Sequence, residues 1–240
     1  MRSKVYRIVS VPVFALLYLF TGIVVLLLLL LTYLHWEKGV KAVIHFWANT
    51  GFLLIGKRLK ISGIENFDKN KKYILVANHS SLFDIMAIMA FHPGVSWFGH
   101  VRLTKIPVFR KLLKMINYIP VDKGSIKNTK EMVNQMVEKS KGLTIAIFPE
   151  GTRTIDGNIH KFYRGFVHVL RSSDMELLPV TLNGFYELKP KNRFYIKFNT
   201  HINVVIHKPI ENIQLVTKND HEILETAKQV IESAYYLKAI

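Results

Sequence analysis

Residues 11–34 form an apolar run without one charge, interrupted only by Pro12, Thr21, Gly22 and Thr32, and Arg2, Lys4 and Arg7 stand before it. At about 1.5 Å per residue a helix over this run is roughly 36 Å long, enough to cross a hydrocarbon core of about 30 Å with some tilt. A secretory signal peptide has a shorter apolar core, about 7–15 residues, and a small-residue cleavage site. Neither is evident, and the unbroken leucines at 26–31 set the run apart from an ordinary buried helix.

A second, weaker apolar stretch covers residues 40–55 and contains His45, Trp47 and Asn49; Lys57, Arg58 and Lys60 close it. Basic residues before the first stretch and after the second put both ends on the cytoplasmic side by the positive-inside tendency. The expectation is a membrane-embedded helix hairpin over residues 1–60, spanning or monotopic. A folded domain over residues 61–240 would then lie on the cytoplasmic face of the cell membrane.

The formal net charge is +16. Such a balance suits nucleic acid, an anionic membrane surface or a phosphorylated substrate. The apolar N-terminus argues against nucleic acid. With no cysteine in the chain, disulfides, thiolate zinc sites and a cysteine nucleophile are excluded. There is no His-Glu-x-x-His spacing for a metal and no Gly-x4-Gly-Lys-Ser/Thr loop for a nucleotide. No metal and no cofactor are expected.

From about Ile61 short apolar runs alternate with helical patterns. Residues 73–77, 95–98, 118–121, 143–148 and 176–182 read as strands, with helical spacing over 81–90, 108–116, 128–140 and 162–171. Residues 194–205 suggest one or two late strands, and 221–236 a closing surface helix. This alternation predicts an α/β fold with a mixed, largely parallel sheet flanked by helices.

Two polar segments follow predicted strands, where open α/β sheets place ligands. The first is Asn78-His79-Ser80-Ser81-Leu82-Phe83-Asp84. On one continuous helix His79 and Asp84 would stand about 140° apart, out of contact. They meet only if the helix begins between them, with Ser80 or Ser81 as cap and Asp84 folded back. Asp84 would then hold one ring nitrogen of His79 and leave the other for a substrate hydroxyl. Taken alone, the pair reads first as a helix cap beside a loop histidine, and the second segment is what favours the catalytic reading.

The second segment is Phe148-Pro149-Glu150-Gly151-Thr152-Arg153. Gly151 permits a tight turn, and the planar fork of Arg153 suits phosphate oxygens. Glu150 either orients that guanidinium or accepts from a substrate hydroxyl, and Lys105, Lys161 and Arg164 are further candidate cations. By itself the segment also reads as a polar turn with an exposed ion pair.

Together, His79-x4-Asp84, Phe148-Pro149-Glu150-Gly151-Thr152-Arg153, the Lys105-Ile106-Pro107 segment, Ile119-Pro120-Val121-Asp122-Lys123 and Pro179-Val180-Thr181-Leu182-Asn183-Gly184 resemble the glycerophosphate acyltransferase family over residues 78–184. The chain departs from the family pattern at Val101-Arg102-Leu103, at Arg110 and at Tyr163. The resemblance implies transfer of a fatty acyl group from an acyl thioester, of acyl carrier protein or coenzyme A, to the sn-2 hydroxyl of lysophosphatidic acid at a lipid bilayer. It implies His79 and Asp84 as catalytic residues, and Lys105, Glu150, Gly151, Thr152 and Arg153 as substrate-binding residues. Acceptors such as glycerol 3-phosphate or another lysolipid stay open, and a basic membrane-lipid-binding protein without chemistry is the rival from another class.

Overall fold

The run Tyr73-Ile74-Leu75-Val76-Ala77 has apolar side chains on both alternating faces, so it is stable as a strand only where both faces are covered. The computed structural model describes residues 2–100, 104–105, 110, 113–114, 116, 118–121, 137–138 and 142–236. In it this run is a central strand, β2 (Tyr73–Ala77), buried at every position. With β1 (Lys60–Ser62), β3 (Ser96–His100), β4 (Ile119–Val121), β5 (Ile145–Ile147), β6 (Glu176–Asn183) and β7 (Asn203–Ile206) it forms a sheet in the order β1-β7-β6-β2-β5-β3-β4. Every neighbouring pair is parallel except β6 with β7. The sheet is mixed and largely parallel, as the alternation of the sequence predicts.

The two faces of β2 belong to different cores. Tyr73, Leu75 and Ala77 join α1 (Arg2–Tyr33), α2 (Glu37–Leu54) and α3 (Phe83–Phe91), whereas Ile74 and Val76 join α4 (Gly165–Arg171) and α7 (Asp220–Ser233). Two further short helices are α5 (Phe185–Leu188) and α6 (Asn212–Val216), and a 3-10 turn covers Ile64–Asn66. The closing helix is more than a surface element. Its capping box of Asn219 and Glu222 starts it, and Ile223, Leu224, Ala227 and Ile231 are buried.

The N-terminal hairpin is continuous with this fold. Trp47 donates to Thr21 Oγ1 at 3.1 Å between its two helices. A Cβ on Gly51 would lie 2.4 Å from Met86 Cε, the far end of a flexible side chain, so α2 crosses α3 closely at this glycine. The early turns of α1 dock on the segment before β7: Ile196 N donates to Ser10 Oγ at 2.9 Å, and Tyr6 stacks on Tyr195 with centroids 6.3 Å apart. The opposite face of α1 leaves Ile8, Leu19, Ile23, Leu26 and Leu30 exposed. Over Ser3–Tyr33 the helix is long and apolar enough to cross a membrane.

The expectation of strand over residues 194–205 holds only at its end, in β7. The preceding residues turn the chain instead, because the Phe198 and Thr200 carbonyls accept from the Lys57 ammonium and the aromatic rings pack on α1. The helices expected over 108–116 and 128–140 lie largely outside the described residues, as do Val101, Arg102, Leu103, Ile106, Pro107, Asp122 and Lys123.

Candidate active site

β2 ends at Ala77, and Asn78 extends its pairing with a side chain. Its amide donates to the Leu182 carbonyl at 2.9 Å and its oxygen accepts from Leu182 N at 2.8 Å. The loop that follows is thereby held against β6. α3 starts only at Phe83, so the helix begins between His79 and Asp84, as their contact requires. Asp84 Oδ2 accepts from Ser80 N at 2.6 Å and from Ser81 N at 2.8 Å, and lies 2.8 Å from His79 Nδ1. The Ser81 hydroxyl accepts from Phe83 N, the first amide of α3, at 3.4 Å and donates to the Lys189 carbonyl at 2.7 Å. Since a carboxylate only accepts, Nδ1 carries the proton of the His79–Asp84 bond and Nε2 is the ring's acceptor. Asp84 is fully buried, while the His79 side chain keeps 15% exposure.

The imidazole is also fixed from its face. It stacks on Phe148 with centroids 3.9 Å apart and planes 10° apart, and Phe148 stacks in turn on Trp97 at 5.4 Å. Phe148 heads the second polar segment but has no role assigned from the sequence, and Trp97, in an apolar run, reads as core.

Glu150 sits differently from the expectation. Its Oε1 accepts from His79 N at 2.8 Å and its Oε2 from His160 N at 2.9 Å, and the residue is 4% exposed. Both oxygens are thus spent on backbone amides, where the sequence suggested the guanidinium of Arg153 or a substrate hydroxyl. Burial raises the Glu150 carboxyl above its usual range, with the two amide bonds opposing. Gly151 takes φ +68° and donates to the Phe148 carbonyl at 3.0 Å, closing the tight turn. Thr152 is exposed and Arg153 half-buried. Thr154 N donates to the His79 carbonyl at 2.9 Å, which brings the Gly151–Arg153 turn beside the histidine. The loop closes on Asp156, whose carboxyl is held well below the usual range, first by the Thr154 hydroxyl and then by Asn158 N.

Two cations unmarked by the sequence lie near this turn. Lys189 is held beside Ser81 through its carbonyl, and Tyr186 of the same segment donates to the Ile155 carbonyl at 2.8 Å. Burial lowers the Lys189 ammonium below its usual value, and the charges of Arg153 and Arg193 lower it further. Arg193 is committed elsewhere: it donates to the carbonyls of Tyr195, at 3.2 Å, and Glu187, and lies 5.0 Å above the Tyr195 ring. Lys105, Lys161 and Arg164 are exposed, and no described contact joins Lys105 to the site. Among the described residues there is no cluster fit to hold a metal.

The arrangement can take a proton from a hydroxyl at His79 Nε2 with an anionic group held nearby by Arg153. The acyltransferase family model matches residues 58–183, from the approach to β1 to the end of β6. A 1-acyl-sn-glycerol-3-phosphate acyltransferase of Cocos nucifera is 30% identical over 149 residues, covering 60% of this chain and 47% of the relative. A chloroplastic one of Arabidopsis thaliana is 25% identical over 178 residues, 73% of this chain and 49% of the relative. One of Borreliella burgdorferi is 28% identical over 177 residues, 71% and 68% of the two chains. The chain spans about half the length of the plant relatives. The crystal structure of the 1-acyl-sn-glycerophosphate (LPA) acyltransferase PlsC of Thermotoga maritima superposes with a TM-score of 0.81 at 23% identity, over 99% of this chain and 100% of that one, and shares its fold.

Proposed function

The chain belongs to the acyltransferase family, and from that premise we propose that it moves a fatty acyl group from an acyl thioester to the sn-2 hydroxyl of 1-acylglycerol 3-phosphate, giving phosphatidic acid. The observation that carries this reading is the 2.8 Å contact of His79 Nδ1 with the buried Asp84 carboxylate, which leaves Nε2 as acceptor beside the Arg153 turn. The names of the relatives support the acceptor.

In the reaction, Nε2 removes the hydroxyl proton as the oxygen attacks the thioester carbonyl, a role that contributes about 10²–10⁴-fold. Asp84 orients the ring and stabilises the imidazolium that forms. The tetrahedral intermediate collapses with cleavage of the carbon–sulfur bond, and the thiolate of acyl carrier protein or coenzyme A leaves with the proton from His79. No covalent acyl-enzyme is needed. Arg153 binds the acceptor phosphate and so brings the hydroxyl to Nε2. Glu150 acts through the backbone of His79 as a positioning residue.

The site would work at a bilayer. The apolar outer face of α1 is the surface that enters it, while the inner face stays on the domain. Arg2, Lys4 and Arg7 at one end of the hairpin and Lys57, Arg58 and Lys60 at the other favour the cytoplasmic face. The test is phosphatidic acid formation by the purified full chain, with lysophosphatidic acid and glycerol 3-phosphate competing as acceptors. Incorporation into lysophosphatidic acid that His79→Ala abolishes is expected; preference for glycerol 3-phosphate overturns the acceptor.

A further inference from the structure

Gly56, Lys57 and Arg58 leave the end of α2 and lead into β1, facing the residues that precede β7. Between these segments lies a cleft of about 690 Å³, lined by Lys57, Arg58, Lys60, Asn199, Thr200 and His201 among others, with no Asp or Glu among the lining residues. Lys57 is only 8% exposed. Its ammonium donates to the carbonyls of Phe198 and, at 2.6 Å, Thr200. No ion pair joins it to a carboxylate among the described residues, and burial lowers its pKa from the usual lysine value. The Thr200 hydroxyl is also buried without a partner among the described residues. A buried cation held only by neutral carbonyls keeps an uncompensated charge, which an anion in the cleft would offset.

The position of the cleft says which anion. β1 and β7 are parallel, β7 is antiparallel to β6, and β6 is parallel to β2. The starts of β1 and β7 therefore share one sheet edge with the ends of β6 and β2, the edge that carries His79. Tyr6, in the first turns of α1, donates to Asn199 on the cleft wall at 3.0 Å. Both ends of the hairpin thus meet the domain here, next to exposed Val5 and Ile8.

We infer that this cleft binds the phosphate of an anionic membrane phospholipid, apart from the acceptor that reacts at His79. The lipid source rests on the proposed bilayer anchoring. Arg58 offers a planar fork to phosphate oxygens, Lys57 and Lys60 offer point charges, and the acyl chains lie along the apolar outer face of α1. A soluble phosphate would gain only the polar half of these contacts.

The full chain in neutral-detergent micelles is given phosphatidylglycerol, phosphatidylcholine or inorganic phosphate alone. Native mass spectrometry reads retained lipid, and amine acetylation reads access to Lys60. Retention of phosphatidylglycerol over phosphatidylcholine with several-fold slower Lys60 acetylation is expected, and both effects should fade in Arg58→Gln/His201→Gln, whose altered side chains are exposed. Equal retention of the two lipids, or an unchanged response in the double variant, overturns the site. Protection by inorganic phosphate but not by phosphatidylglycerol overturns the lipid assignment. These readouts need no acyl thioester, so a failed acyl-transfer assay leaves them intact. Flotation with phosphatidylcholine liposomes tests the anchoring separately.

Discussion

The backbone N–H of His79 donates to Glu150 Oε1 at 2.8 Å across 71 positions of sequence, and the other oxygen of the same carboxylate accepts from His160 N. One buried side chain therefore joins the loop after β2 to both limbs of the loop after β5. A glutamine there keeps a single acceptor oxygen and turns an NH2 group toward the second amide. Hydrogen bonds to charged groups are worth about 1.5–3 kcal/mol. Burial raises the Glu150 carboxyl, so removing its charge returns part of that loss. Glu150→Gln should lower stability by about 1–2 kcal/mol net and reduce turnover, read by thermal unfolding and acyl transfer on the same preparation.

Asp84→Asn tests the orientation of the base. The substituted side chain no longer presents a carboxylate to His79 Nδ1, Ser80 N and Ser81 N. Turnover should fall by about 10²–10⁴-fold, close to the effect of His79→Ala. The KM for the acceptor should stay within a few-fold of the parent. Normal turnover in either variant would remove the proposed base and its partner.

Arg153 and Lys189 should separate by acceptor. The Lys189 ammonium, lowered by burial and by its cationic neighbours, gains most from a phosphate dianion. A charged hydrogen bond of about 1.5–3 kcal/mol corresponds to roughly 10–100-fold in affinity. Both Arg153→Ala and Lys189→Ala should raise the KM for the phosphorylated acceptor within that range. Neither should weaken an uncharged monoacylglycerol offered in its place. Equal losses on both acceptors would assign these side chains to structure.

His92 gives the fold an acid-side dependence away from the site. Its pKa is lowered to about 4, first by burial and then by Lys72 and Lys41, and its ring packs on Phe67 with centroids 4.9 Å apart. The unfolded chain binds this proton near pH 6.5 and the folded chain does not. Stability is therefore complete above about pH 6.5 and is lost as pH falls toward about 4, by up to about 3 kcal/mol at 1.36 kcal/mol per unit. His92→Phe should remove this part of the slope. Urea unfolding of parent and variant at pH 7 and pH 4.5 measures the difference.

The local features of this protein were legible in its sequence. An uncharged run through residue 34 gives a long helix, and the apolar run at 73–77 gives a strand buried on both faces, because both depend on side-chain period. The His79–Asp84 contact was legible only as a condition, that the helix start between the two residues, which the start of α3 at Phe83 meets. Even so, the late segment before β7 was read as strand, since aromatic alternation does not show that its carbonyls will face a lysine.

What tertiary structure decided is who stands beside whom across the sheet. Glu150 reaches the amide of His79 because β5 lies next to β2, and Lys189 reaches the same loop because β6 lies on the other side. Phe148 and Trp97 stack under the imidazole because β5 also pairs with β3. Strand order is set by the packing of two cores at once, and no period within one segment records it. The sequence therefore determined the two motifs and the hairpin, and the sheet determined that Glu150 braces the His79 backbone and that the Lys189 ammonium feels the charge of Arg153.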